Sequence, residues 1–466
     1  MKKAFPGIET VYFLGIGGIG MSGIARFLHA QGFSVSGYDR TPSDITSELE
    51  GLGMEITFNE EVSALPGAVQ IAGKHRLLVI YTPAIPADHP QLLNFRDKEF
   101  NLIKRSEALG IITSGYKTIA VAGTHGKTTT SSMIAHILTD CGQGCNAFLG
   151  GIATNYNTNV LIDEHSPYCV AEADEYDRSF LTLEPALAVI TSMDPDHLDI
   201  YGDKRSMEHS FNDFVKCIRP GGLLLQRHNL KLKSREDVTI QRYSIEEFSD
   251  YTAKDIAIQG GKYTFTLSYP GGNIRNIELG LPGRHNVENA AAAIAIGLKL
   301  GVEEHLIRQA MASYLGVKRR FETILEMDGR IFIDDYAHHP EELKACIQSA
   351  RELNPGKKLL GIFQPHLFSR TRDFANEFAK SLSLLDEVIL LPIYPARELP
   401  IEGVDSQLIL NKIKKIPAQL ANKSGLFDAA CASSAQVVLS LGAGDIDRLV
   451  NPLAIRLSEK WSGQKA

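Results

Sequence analysis

Lys127 and Thr128 stand near the end of the stretch GTHGKTT, residues 123–129. A glycine loop between a strand and a helix points its backbone N–H groups inward, where they cradle phosphate oxygens. The lysine neutralises the terminal phosphates and the next hydroxyl ligates magnesium. The usual GxxxxGK[ST] spacing needs a glycine where Val121 stands, so this loop is a shortened variant. Its flanks fit the role: the apolar run KTIAVAG before it and the helical run KTTTSSMIAHILTDCG after it. Gly123, Thr124, His125, Gly126, Lys127, Thr128 and Thr129 are therefore expected to hold a nucleotide.

A magnesium nucleotide also needs hard oxygen ligands beside its phosphates. AEADEYD offers Glu172, Asp174, Glu175 and Asp177 at the end of one apolar run, and MDPDHLD offers Asp194, Asp196, His197 and Asp199 at the end of another. Ligands collect at the carboxyl ends of strands in open α/β sheets. With a phosphate loop in the same segment, these acids read as a metal and nucleotide site rather than as solvated surface.

A second glycine loop comes a hundred residues earlier. GIGGIG fits GxGxxG at Gly15, Gly17 and Gly20, with Gly18 between, and Asp39 ends the next strand at the spacing of a ribose-binding acid. This pattern alone suggests a dinucleotide such as NAD. The glycines, however, explain only how a backbone approaches a pyrophosphate, which any nucleotide diphosphate supplies. In the last third, DDYAHHP and FQPHLFSRTRD each follow a strand-like run. His338 and His339 are adjacent and would point apart if extended, which speaks against a zinc pair. Asp335 and Arg370 read as substrate or nucleotide contacts.

The elements that must position these residues repeat one theme. TVYFLG, FSVSGYD and HRLLVIYTPAI are strands separated by helical runs, and the pattern restarts at KTIAVAG and again after GVKRRFE. Residues 222–280 look β-rich and hairpin-like, and an alanine-rich helix then stops at Gly301. We expect an α/β protein of three domains in series: a Rossmann-like domain over 1–113, a central P-loop ATPase domain with a parallel sheet over 114–317, and a C-terminal Rossmann-like α/β domain over 318–466. A chain of 466 residues suits about three domains. The net charge of −7 gives no basic footprint for nucleic acid. No apolar run is long enough for a bilayer, and the amino terminus reads as a strand and helix, not a signal peptide. The six cysteines form no CxxC pair and read as free thiols of a reducing cytoplasm.

Taken together, these residues resemble the Mur ligases, the ATP-dependent amide ligases of peptidoglycan synthesis. The ordered set FLGIGGIGMSGIA, GTHGKTTT, EADEYDRSF, DHLDIYGD, LPGRHNVENA, GVKRRFE, DDYAHHP and FQPHLFSRT carries the resemblance over nearly the whole chain. It implies that the first loop holds the pyrophosphate of UDP-N-acetylmuramate and the second ATP. Lys127 would bind the γ-phosphate, Thr128 and Glu172 a magnesium ion (manganese as a substitute), and His197 a second ion. Asn286 and Asn289 would meet the adenine side, while Arg320 and Asp335 would close over the nucleotide. Tyr336, His338, His366 and Arg370 would shape an amino-acid pocket. The implied reaction joins L-alanine to the lactyl carboxylate of UDP-N-acetylmuramate through an acyl phosphate, in the cytoplasm, by a monomer or weak homodimer that neither enters a membrane nor binds nucleic acid. Two positions depart from the family's habit: Leu367 stands where an arginine is common, and Tyr176 where a serine is. The carbamylated lysine of sister ligases has no assignable position. A ligase that reuses a murein tripeptide shares much of the pattern; outside the family the rivals are an oxidoreductase and a nucleotide switch.

Overall fold

The computed structural model describes residues 4–194, 201–396 and 398–463, apart from the side chain of Asp177. The chain forms two compact units. One spans Met1–Lys254, Leu267–Arg275 and Asn289–Ala312; the other spans Asp255–Thr266, Asn276–Glu288 and Ser313–Ala466.

The first unit opens with a parallel sheet of five strands: β1 (Thr10–Leu14), β2 (Ser34–Tyr38), β3 (Glu55–Thr57), β4 (Leu77–Tyr81) and β5 (Asn101–Lys104), in the order β3-β2-β1-β4-β5. Every residue of β1 is buried, as a strand covered on both faces requires. The order reverses at β1, so the loop after it opens at the switch point of the sheet, where such folds bind ligands. The helix Ile19–Ala30 follows that loop and buries Met21, Ile24, Ala25, Phe27 and Leu28, one apolar stripe at helical spacing.

The second sheet is built around β6 (Lys117–Ala122), which lies between β10 (Leu187–Ile190) and β9 (Tyr168–Glu172), both parallel to it. β7 (Asn146–Ala153) pairs beyond β9, with β8 (Thr158–Leu161) antiparallel at the edge. β11 (Leu223–Arg227), β12 (Thr239–Ile245) and β13 (Tyr251–Gln259) extend the other side. Here the structure departs from the hairpin-like reading of 222–280, because β11–β12 and β12–β13 pair in parallel. The β12–β13 overlap is only Tyr243–Ile245 against Tyr251–Ala253. So short an overlap lets a brief loop bring the chain back in the same direction. Two-residue turns come later: Gly260 and Gly261, with φ of 58° and 80°, join β13 to β14 (Lys262–Tyr269), and β15 (Gly272–Leu279) follows. The helix Arg284–Lys299 ends before Gly301, whose φ of 83° supplies the expected stop.

The second unit carries a six-stranded sheet in the order β16-β17-β21-β18-β19-β20, formed by Glu322–Met327, Arg330–Asp335, Val437–Leu441, Leu359–Phe363, Glu387–Leu390 and Ala418–Leu420. Only β16 is antiparallel. Its core includes Phe332, Leu360, Ile362, Val438 and, from the helix Asp447–Trp461, the buried Trp461. Among the described residues no helix is long and apolar enough to cross a membrane, and all six cysteines are free.

One glycine governs how the first loop is seated. A Cβ at Gly37 would lie 2.8 Å from Ile16 and 2.9 Å from the carbonyl oxygen of Phe13. Gly37→Ala is expected to destabilise the first unit by about 1–3 kcal/mol, read as a lower urea midpoint, because backbone rather than a flexible side chain must yield.

Candidate functional site

The strand β6 delivers the loop 123–126, and the helix Lys127–Asp140 begins at Lys127. The loop is laced to the chain leaving β10. Thr124 Oγ1 and Ser192 Oγ lie 2.9 Å apart, His125 N donates to Ser192 Oγ at 2.7 Å, and Thr191 Oγ1 donates to Ala122 O at 3.1 Å. Gly123, at φ 133°, has Thr191 and Ser192 packed where a Cβ would stand. Gly126, at φ 80°, has Asn289 Oδ1 only 2.6 Å from that place. These two glycines therefore admit no side chain, and the second brings Asn289 onto the loop. Thr128 and Thr129 are buried in the first helical turn. Asn286 belongs to the other unit, where its side chain donates to Pro282 O at 2.5 Å.

Lys127 Nζ donates to Gly123 O at 2.8 Å and lies 2.8 and 2.9 Å from the two carboxylate oxygens of Glu175. Glu175 is fully buried. Burial pulls the lysine pKa down, but Glu175, Asp174 and Glu172 together more than offset it and hold the ammonium above its ordinary value. Burial also pushes Glu175 up, against the attraction of Lys127. Mutual attraction favours charge on both partners, so Lys127 stays an ammonium. Glu172 accepts from Gly150 N at 2.9 Å. Asp174 faces Arg105, with N and O 3.5 Å apart. Asp194 lies 4.0 Å from His125. Asp196, His197 and Asp199 lie outside the described residues.

In the first loop Asp39 accepts from Gly17 N at 2.7 Å. The acid expected to meet a ribose thus engages the loop's own amide. Gly15 has φ 89° with Thr82 packed against it, and Gly18 N turns back to Gly15 O at 3.3 Å. The Arg105 guanidinium reaches over Gly20, 2.8 Å from where a Cβ would stand. Sequence reasoning missed Arg105; its only mark is its place directly after β5, the start of the helix Arg105–Ser114.

The second unit gathers another cluster. Asp335, at the end of β17, accepts from Phe321 N and Ala337 N, both at 2.7 Å, and so pins the loop carrying Arg319 and Arg320 to the strand end. Burial pushes its pKa up to about 6, against the Arg320 charge and the two amides. Arg319 and Arg320 lie over the Tyr336 ring at 5.2 and 5.1 Å from its centroid. Tyr336, His338, His366 and Tyr394 follow one another in ring contact, at 5.3, 5.8 and 5.7 Å between centroids. Arg370 is buried in the short helix Phe368–Asp373, which begins after Leu367. Leu367 has φ 72° and ψ 136°, a region nearly confined to glycine, and is held there by its N–H on Tyr394 O and its carbonyl on Thr371. The cluster therefore joins the expected Tyr336, His338 and His366 with Tyr394, which the sequence did not single out. Among the described residues no group of three His, Cys, Asp or Glu side chains forms a ready metal cage.

Lys127 is buried against Glu175, so its side chain has a structural partner within the fold. Lys127→Ala leaves a buried carboxylate without its counter-charge and is expected to cost about 3–5 kcal/mol of stability, seen as a lower melting temperature. Lys127→Ala with Glu175→Gln should recover most of that loss. For Asp335, a pKa raised above the unfolded value contributes stability present at acid pH and lost as pH rises through about 6. The stability of Asp335→Asn relative to wild type, by urea titration, is therefore expected to improve from pH 4.5 to 7.5.

Three family descriptions match in series: "Mur ligase family, catalytic domain" over residues 10–117, "Mur ligase middle domain" over 121–297, and "Mur ligase, glutamate ligase domain" over 319–444. The UDP-N-acetylmuramate–L-alanine ligase of Porphyromonas gingivalis strain W83 is 50% identical over 450 residues, 96% of this chain and 98% of that protein. Its counterpart in Cytophaga hutchinsonii is 46% identical over 97% of this chain and 98% of its own. The crystal structure of the UDP-N-acetylmuramate–alanine ligase of Thermotoga maritima superposes with a TM-score of 0.81 at 27% identity, over 98% of this chain and all of that one. The chain belongs to the Mur ligase family.

Proposed function

We propose that this protein joins L-alanine to the lactyl carboxylate of UDP-N-acetylmuramate, with ATP cleaved to ADP and phosphate. The observation that carries the reading is the Lys127 ammonium held at the mouth of the phosphate loop among Glu172, Asp174 and Glu175, in a chain half identical to ligases of that name over nearly its full length.

A carboxylate is a poor acyl donor. Transfer of the γ-phosphoryl group to the lactyl carboxylate gives an acyl phosphate; the alanine amine then attacks the acyl carbon and phosphate leaves. Charge on the transferring group is met by Lys127 and by the amides of the loop. Magnesium fits the donors present: the Thr128 hydroxyl and the Glu172 carboxylate are hard oxygens, and three carboxylates around one ammonium leave negative charge for a cation to offset. The ion would supply further charge neutralisation at the phosphates. The UDP-sugar is assigned to the first loop, where Arg105 adds a cation beside Gly20. Alanine is assigned to the Tyr336, His338, His366 and Arg370 cluster, with Arg370 as the partner of its carboxylate. Arg320 and Asp335 are kept as nucleotide residues, Asp335 by holding the Arg320 loop. His197 is kept as the residue for a second ion. We place the protein in the cytoplasm, in accord with its six free thiols, as a monomer or weak homodimer.

The deciding experiment is phosphate release from ATP with UDP-N-acetylmuramate and each amino acid in turn, a murein tripeptide included. L-Alanine is expected to give the fastest release; faster release with the tripeptide would move the chain to peptide recycling. Without alanine, hydroxylamine should trap a muramyl hydroxamate. Arg370→Ala should raise the KM for L-alanine strongly and leave that for ATP nearly unchanged; an unaltered alanine dependence would remove Arg370 from the pocket.

A further inference from the structure

Glu342 stands where three parts of the second unit meet. It is the third residue of the helix Pro340–Leu353, whose N-cap is His339. Its carboxylate accepts from the backbone N–H of His338 at 3.1 Å and of His339 at 3.2 Å. The same group lies 3.3 Å from His338 Nδ1 and 4.0 Å from Arg320 Nη1. His338 Nδ1 is also 3.0 Å from Tyr336 O. Its side chain is only 17% exposed, so its charge acts in a poorly screened setting.

The simplest account makes Glu342 a helix cap: a glutamate three residues after the N-cap closes a capping box. That account covers the two amides. It does not cover the guanidinium and the imidazole, which come from separate loops and meet the same carboxylate. Arg320 is also held across the face of Tyr336, and His338 packs edge-on against Tyr336 and His366. One carboxylate thus ties the cation assigned to the nucleotide and the ring assigned to the amino acid to a single helix start.

We infer that Glu342 is a positioning residue of this ligase, orienting Arg320 and His338 for the amino-acid step. The inference rests on the proposed function for its substrates but not for its geometry, and the test separates the two. Glutamine is accepted at the third position of a capping box, so Glu342→Gln keeps the cap and removes the charge; Glu342→Ala removes both. Glu341→Gln, at the exposed neighbour paired with Lys344, is the control. Glu342→Gln should melt within a degree or two of Glu341→Gln, yet shift the His338 ring resonance in NMR. Its kcat/KM for L-alanine should fall roughly tenfold to a hundredfold, the range for misplaced binding groups, with the KM for UDP-N-acetylmuramate unchanged. Glu342→Asp should recover part of that loss. An unmoved His338 resonance, or kinetics matching Glu341→Gln, overturns the inference. So does a loss that tracks melting temperature and weakens all three substrates together. If the wild-type protein releases no phosphate with these substrates, the proposed function fails, and the His338 resonance still decides the role of Glu342.

Discussion

The buried contact of Lys127 with Glu175 is the constraint on which the loop 123–126 and its surroundings turn. An ammonium and a carboxylate leave water only when they meet at close range with their remaining hydrogen bonds satisfied. Here Gly123 O takes one further proton of the lysine, and both carboxylate oxygens of Glu175 lie within 2.9 Å of the ammonium. That requires β6 and β9 side by side, the phosphate loop folded onto Thr191 and Ser192, and glycine at 123 and 126. The sheet order is in this sense the condition for burying one positive charge beside the loop 123–126.

The second unit solves a similar problem with different parts. Its strand end presents two adjacent aspartates with separate tasks. Asp334 takes the Arg319 guanidinium at 3.0 Å, while Asp335 takes two backbone amides. Arg319 and Arg320 are thereby set over Tyr336. The strained backbone at Leu367 belongs to the same economy. A conformation of this kind costs of order 1–3 kcal/mol and persists only where its surroundings over-determine it, and here Tyr394 and Thr371 do so.

Much of this was legible in the sequence. The two glycine loops, the acidic strand ends and the restart of the strand–helix alternation at Lys117 depend on local chemistry that spacing reveals. What the sequence concealed depends on contacts across the chain. One acid ends β9 and three follow it, and nothing in AEADEYD says that Glu175 rather than Glu172 turns inward to Lys127. Asp39 has the spacing of a ribose ligand, yet its carboxylate closes on Gly17 N. Arg105 carries no motif, and Glu342 looks like an ordinary first-turn helix acid. The parallel pairing of β11, β12 and β13 was hidden because alternation along a strand fixes which face is buried, not the direction of its neighbour.

The single tryptophan gives the molecule a built-in division of optical labour. Trp461 is the only indole in the chain, and it is buried against the core of the six-stranded sheet. Indole fluorescence therefore watches the second unit alone, whereas the peptide circular dichroism sums over both. A two-state description of this chain is warranted only where the two signals share one transition. Where they separate, their difference is the thermodynamic independence of the part that holds Lys127 from the part that holds Tyr336.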